Sequence, residues 1–134
     1  PVRDVVKFCG GLKPGTREII MGGPMMGRPI ASLDVPILKG CSGVLVFTEK
    51  ETARRKEYPC ISCGRCLEAC PYFLNPSRLA RLSKSRMFDE MKAYNVFDCV
   101  ECGCCTFACP SNIPIVQLIR TAKDDLTHRK EPDA

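Results

Sequence analysis

The sequence has no tryptophan and only one histidine, His128, in 134 residues. No serine or aspartate pattern accompanies that histidine, so no Ser-His-Asp set is available and His128 is assigned no role. Long apolar runs are missing as well. The longest clear one, residues 43–47, falls far short of the roughly 20 residues of a membrane helix, so no direct membrane span is expected. The first residues, Pro1-Val2-Arg3-Asp4, lack the charged-then-apolar layout of a secretory signal. Neither a Gly-Lys-Ser/Thr phosphate loop nor a G-x-G-x-x-G fingerprint occurs, and Gly22-Gly23-Pro24-Met25-Met26-Gly27 reads by composition as a structural turn. No acid–base pair stands out, so no catalytic residue is expected. The remaining composition, 45% apolar and 26% charged, is globular, and the length suits one ordinary domain or two small ones.

Cysteine is the abundant residue. There are 11, about 8% of the chain, which calls for disulfides, zinc or iron–sulfur. Nine fall in two runs, eight of them at matching positions: Cys60-Ile-Ser-Cys63-Gly-Arg-Cys66-Leu-Glu-Ala-Cys70-Pro71 and Cys99-Val-Glu-Cys102-Gly-Cys104-Cys105-Thr-Phe-Ala-Cys109-Pro110. Both read C-x₂-C-x₂-C-x₃-C-P, the bacterial 4Fe–4S pattern, and they form an internal repeat in which Cys99 falls on Cys60 and Pro110 on Pro71. A cubane cluster has four iron corners, each taking one soft thiolate. Cysteines three apart on a tight loop can curl round one cluster while backbone N–H groups point at its sulfurs. Gly64 and Gly103 allow the close approach, and Pro71 and Pro110 stop the turn that carries the fourth cysteine. Ile61, Leu67, Val100 and Phe107 are expected to exclude water. Zinc needs only four ligands and gives no reason for the third and fourth cysteine of each run. Disulfides between cysteines three apart would be strained. Two 4Fe–4S clusters are therefore expected, with a zinc-binding interaction module as the reading from another class. Of the other cysteines, Cys104 stands where the first run has Arg65 and reads as a free thiol. Cys9 and Cys41 read as small buried residues.

The formal charge is +5, from 20 Lys and Arg against 15 Asp and Glu. Each oxidised cluster with its four thiolates carries about −2, which brings the loaded chain to about +1. A nucleic-acid partner loses its support. Arg78, Arg81, Lys84, Arg86 and Lys92, between the two runs, read as a solvated helix face or a docking face for an acidic protein.

Along the chain, residues 2–9 read as a short helix stopped by Gly10-Gly11, and residues 17–21 and 43–48 as strands. A piece of three elements buries little by itself and reads as the edge of something larger. Residues 50–58 form a charged linker. Asn75 reads as an N-cap with Pro76 behind it, opening a helix to about Ala93. A second helix carries Ile115, Leu118, Ile119, Ala122 and Leu126. The expected class is mostly α: an α-helical two-cluster ferredoxin domain over residues 59–128, after a small α/β segment over residues 1–49 and before a polar tail over 129–134.

Residues 22–27, Lys39-Gly40, Ser42-Gly43-Val44-Leu45-Val46, the doubled cysteine run, Ser111-Asn112-Ile113-Pro114 and Arg120-Thr121-Ala122-Lys123 together resemble RnfC. That family is the iron–sulfur subunit of the Rnf ion-translocating electron-transport complex. The resemblance implies that residues 1–49 are the end of a β-grasp domain. It also implies a peripheral protein on the cytoplasmic side of the bacterial inner membrane. Such a protein relays electrons in a complex that couples electron transfer between ferredoxin and NAD to Na⁺ or H⁺ translocation, an oxidoreductase acting as a translocase. Its partners would be other subunits of that complex and ferredoxin or flavoprotein redox proteins. FMN and NAD would belong to a region N-terminal to these residues. The alternative from a similar architecture is a flavin-dependent, iron–sulfur cobalamin reductase. Cys104 departs from the family, which usually has another small residue there. In two-cluster ferredoxins with this motif the fourth cysteine of each run ligates the other cluster. Carried over, that gives Cys60, Cys63, Cys66 and Cys109 for one cluster and Cys99, Cys102, Cys105 and Cys70 for the second. Spacing alone leaves sequential ligation open.

Overall fold

The computed structural model describes residues 1–52 and 56–129. Part of the expected linker, residues 53–55, and residues 130–134 of the expected tail lie outside the described residues. The chain divides into two compact units, Pro1–Arg55 and Lys56–Ala134.

The first unit opens with helix α1 (Val2–Phe8), which buries Val2 and Val6. Gly11 N–H donates to Val6 O and Gly10 N–H to Lys7 O, a Schellman closure that satisfies the last carbonyls of the helix. Strands β1 (Thr16–Met21), β2 (Arg28–Pro29) and β3 (Val44–Thr48) follow. They form an antiparallel sheet in the order β2-β1-β3. Ile20 pairs with Pro29 on one side and Leu45 on the other, with an irregularity between Thr16 and Glu18. Residues 22–27 make the sharp connection from β1 to β2. A Cβ on Gly27 would sit 2.3 Å from Ile20 Cγ2, 2.6 Å from Gly23 O and 2.9 Å from Met21 O. The position therefore admits only glycine without displacing backbone. Gly27→Ala is expected to cost about 2 kcal/mol through overpacking. Amide exchange in β1 should then speed by roughly tenfold or more. Unchanged exchange there would contradict the close packing.

The second unit is built from two copies of one backbone. One-turn helix α2 (Arg65–Glu68) corresponds in the repeat to α4 (Cys104–Phe107), and α3 (Pro76–Lys84) to the start of α5 (Ile115–His128). The helices pack across the copies, α2 on α4 and α3 on α5. Asn75 Oδ1 accepts the Arg78 N–H at 3.0 Å and Pro76 takes the first helical position, as the sequence predicts. The core joins Leu79, Leu82, Met91, Val96, Ile115 and Ile119, with Cys66, Cys99 and Cys109 packed against it.

One expectation is corrected and one is met in part. The helix from Pro76 ends at Lys84, not near Ala93. Arg86 adopts φ 56°, its N–H donates to Ser83 O, and Met87 N–H donates to Leu82 O. That closure turns the chain into a 3₁₀ helix, Asp89–Tyr94, so that Met91 and Val96 return to the core fully buried. The mostly α description also fits only loosely. Unit two joins short helices through irregular loops, and unit one is organised by a sheet.

Candidate iron–sulfur sites

The two cysteine runs repeat their backbone as well as their residues. Ser62 and Glu101 take φ 55° and 58°, Gly64 and Gly103 take 79° and 83°, and Phe73 and Asn112 take 53° and 52°. The members of each pair hold equivalent places in the repeat. The left-handed residue after the first cysteine turns its N–H back on that thiol: Ser62 N–H reaches Cys60 Sγ at 3.4 Å, and Glu101 N–H bonds Cys99 in the same way. Gly64 and Gly103 then start the single helical turn holding the third cysteine. The fourth cysteine closes that turn, with Cys70 N–H on Leu67 O and Cys109 N–H on Thr106 O.

These loops bring the eight cysteines together four and four. A cavity of about 440 Å³ is lined by Cys60, Cys63, Cys66 and Cys109, with Ala80, Arg81, Lys84, Ile113 and Ile115. A much tighter one, about 20 Å³, is lined by Cys70, Cys99, Cys102 and Cys105, with Leu74, Leu79, Val116 and Ile119. Each set takes three cysteines from one run and the fourth from the other. No carboxylate lines either cavity. Among the described residues, no three His, Cys, Asp or Glu side chains converge as they would about a single ion. Four soft thiols with no hard oxygen ligand suit either iron–sulfur or zinc; the volume of the larger cavity and the lack of convergence on one point favour a cluster there.

Burial pushes the Cys105 thiol up to about 11, with neighbouring Cys99 adding to it. Burial likewise raises Cys66 and Cys99. These thiols are therefore held protonated until a metal displaces the protons, as soft metal sites require. Beside the tighter site, Glu101 accepts from Arg120 Nε at 2.7 Å and from Lys123 Nζ at 2.8 Å, and Lys123 also donates to Cys99 O at 2.9 Å. Burial pushes the Glu101 carboxyl up, but these two cations outweigh it and hold it below the usual carboxylate range. The ionic knot ties the loop between Cys99 and Cys102 to α5.

Several single-residue expectations fare differently. Of the residues expected to exclude water, Ile61 and Leu67 line the larger cavity and Val100 the tighter one, all three at exposed rims, while Phe107, 83% exposed, lines neither. Water is excluded by residues in and beside the following helices: Ala80, Ile113 and Ile115 at one site and Leu79, Val116 and Ile119 at the other. The helical spacing of these apolar residues is visible in the sequence but says only that they are core. Cys9 is exposed, and Cys41 is half-buried with its thiol on Gly43 O. Cys104 lines neither cavity, and its hydrogen bond with Cys102 raises its pKa. Of the basic residues between the runs, Arg81, Lys84, Arg86 and Lys92 are exposed and Arg78 half-buried. Arg78 lies over the Tyr94 ring, Lys84 pairs with Glu57 and Lys92 with Asp89. No described helix is long and apolar enough to cross a membrane.

Residues 57–113 match the family model of the 4Fe-4S dicluster domain. The chain is 52% identical, over 92% of its length, to the C subunit of the proton-translocating ferredoxin:NAD(+) oxidoreductase complex of Clostridium ljungdahlii. It is 44% identical over 97% to the C subunit of the ion-translocating oxidoreductase complex of Rhodobacter capsulatus. It is 41% identical over 94% to the C subunit of the Na(+)-translocating ferredoxin:NAD(+) oxidoreductase complex of Acetobacterium woodii. It spans 27%, 25% and 28% of those proteins, about a quarter of each. The resemblance read from the motifs is thereby borne out: over most of its length the chain is similar to the RnfC proteins, the C subunits of ion-translocating oxidoreductase complexes.

Proposed function

We propose that this chain is the electron-relay portion of an RnfC protein. Cys60, Cys63, Cys66 and Cys109 would hold one 4Fe–4S cluster, and Cys99, Cys102, Cys105 and Cys70 the second. The observation that carries the reading is the crossed lining of the two cavities by eight thiols and no carboxylate. When bound, each cluster supplies one-electron transfer with no proton or bond change of its own. The protein's part is to hold eight thiolates, to bring N–H groups onto Cys60 and Cys99, and to keep water from the inner sides of the sites. No residue here is assigned to substrate chemistry.

On the same reading, the complex couples electron transfer between ferredoxin and NAD to Na⁺ or H⁺ translocation. The chain would lie peripherally on the cytoplasmic side of the bacterial inner membrane. Its partners would be other subunits and ferredoxin or flavoprotein redox proteins. Any FMN or NAD site would belong to the rest of the RnfC protein, outside the quarter spanned here. Anaerobically purified protein should contain about eight iron atoms per chain and show, on reduction, the EPR of two 4Fe–4S clusters. Stoichiometric zinc without iron would overturn the reading.

A further inference from the structure

The duplication places Arg81 and Lys84 in register with Arg120 and Lys123 of the second copy. The two pairs do different things. Arg81 and Lys84 line the larger cavity together with its four thiols. Arg120 and Lys123 line neither cavity and are drawn onto Glu101. The residue in register with Glu101 is Ser62, which has the same backbone conformation and no charge. Among the described residues Arg81 makes no ion pair, while Lys84 pairs with Glu57, which is not part of the cavity wall. Exposure differs in the same sense. Cys60 and Cys63 are exposed, whereas Cys105 is buried and Cys70, Cys99 and Cys102 are half-buried.

We propose that the two sites are electrically inequivalent, and that the cluster held by Cys60, Cys63, Cys66 and Cys109 has the higher reduction potential because Arg81, which makes no ion pair among the described residues, lines its cavity and water reaches its rim. The inference rests on the reading of both cavities as cluster sites. Reduction adds one electron and takes a site with its four thiolates from about −2 to about −3. A cation in the wall and access to water both favour the more negative state. At the second site burial opposes the added charge, and Glu101 offsets one of the two cations beside it, Arg120 and Lys123, neither of which lines the cavity. Electrons therefore run downhill from the Cys99, Cys102, Cys105, Cys70 site to the exposed one. Arg81 acts as a tuning residue, since it touches neither a substrate nor a transferred group.

The test is a redox titration followed by EPR on the full chain, comparing wild type with Arg81→Gln, Ser62→Glu and Glu101→Gln. Wild type should titrate in two separate steps. Arg81→Gln and Ser62→Glu should each move the higher step down while the lower step stays. At fixed potential the reduced-to-oxidised ratio of that cluster should fall by about tenfold, about 59 mV for one electron. Ser62→Glu is compatible with the local backbone because Glu101 already occupies the same conformation. Glu101→Gln should raise the lower step. Coincident steps, or a shift of the lower step in Arg81→Gln, would overturn the proposal while leaving both clusters in place. A protein with no iron signal at all would overturn the cluster reading and the proposal together.

Discussion

Stripping iron from the anaerobically purified protein is expected to abolish most of the helical structure of residues 56–129. The second unit has about 80 residues, and a domain of that size has roughly 4–12 kcal/mol of stability in total. Its core is a single layer between α3 and α5, and Cys66, Cys99 and Cys109 pack directly against it. Four of its turns hold non-glycine residues at positive φ beside the sites, namely Ser62, Phe73, Glu101 and Asn112. Each such residue costs about 1 kcal/mol or more without a compensating partner. Structural metal binding contributes on the order of 10 kcal/mol, which is as large as the whole margin. The far-UV circular dichroism of chelated protein should fall to less than half the helical signal, with collapse of amide dispersion for α3 and α5. Retention of the full signal after complete iron removal would show that the thiol loops are not part of the folding free energy.

The second large effect separates crossed from sequential ligation. Cys109→Ser should destroy the cluster held by Cys60, Cys63 and Cys66, and Cys70→Ser the one held by Cys99, Cys102 and Cys105. Each variant should retain about four irons per chain where wild type has about eight. The expectation stands on the cavity walls, since Cys109 faces the first run's three thiols and Cys70 faces the second's. Each variant should leave the N–H···S geometry of the surviving site unchanged, because Ser62 and Glu101 belong to different loops. Cys104→Ser should keep all eight irons, since that side chain lines neither cavity. Site-resolved spectroscopy showing Cys109→Ser damaging the cluster of Cys99, Cys102 and Cys105 would overturn the assignment.

Much of this was legible in the residues themselves. Soft-ligand spacing is a short-range property, so eight of eleven cysteines could be singled out from two short runs. The Asn75-Pro76 cap, the stop after α1 and strands β1 and β3 follow from local chemistry too. What was hidden depends on distant parts of the chain. The apolar spacing from Leu79 through Met91 continues smoothly at helical period, so nothing local announces that Arg86 breaks the helix. The break is imposed by the need to return Met91 and Val96 to a core made with α5. Ile61 and Phe107 looked like shields because they neighbour cysteines. Ile61 reaches only the exposed rim of its cavity, and Phe107 lines neither cavity, because neighbouring residues of so tight a loop or turn point in different directions. The different fates of Arg81 and Arg120 needed the register of the repeat and the ion pairs together.

The cross-packing of the two copies has a consequence for how such a unit can arise. α2 lies on α4 and α3 on α5, so the most extensive helix packing, α3 on α5, runs between the copies, beside smaller contacts of α2 with α3 and α4 with α5 within each. Each copy also turns three of its thiols into one cavity and its fourth into the opposite one. A free peptide carrying a single run would therefore have an unfilled fourth corner and an unburied helix. Two such peptides, related by a two-fold axis, would complete each other in both respects at once. The present chain has the internal symmetry of a homodimer whose protomers have been joined end to end. Once joined, the two halves were released from being identical, so that a serine in one and a glutamate in the other could occupy the same bend of backbone.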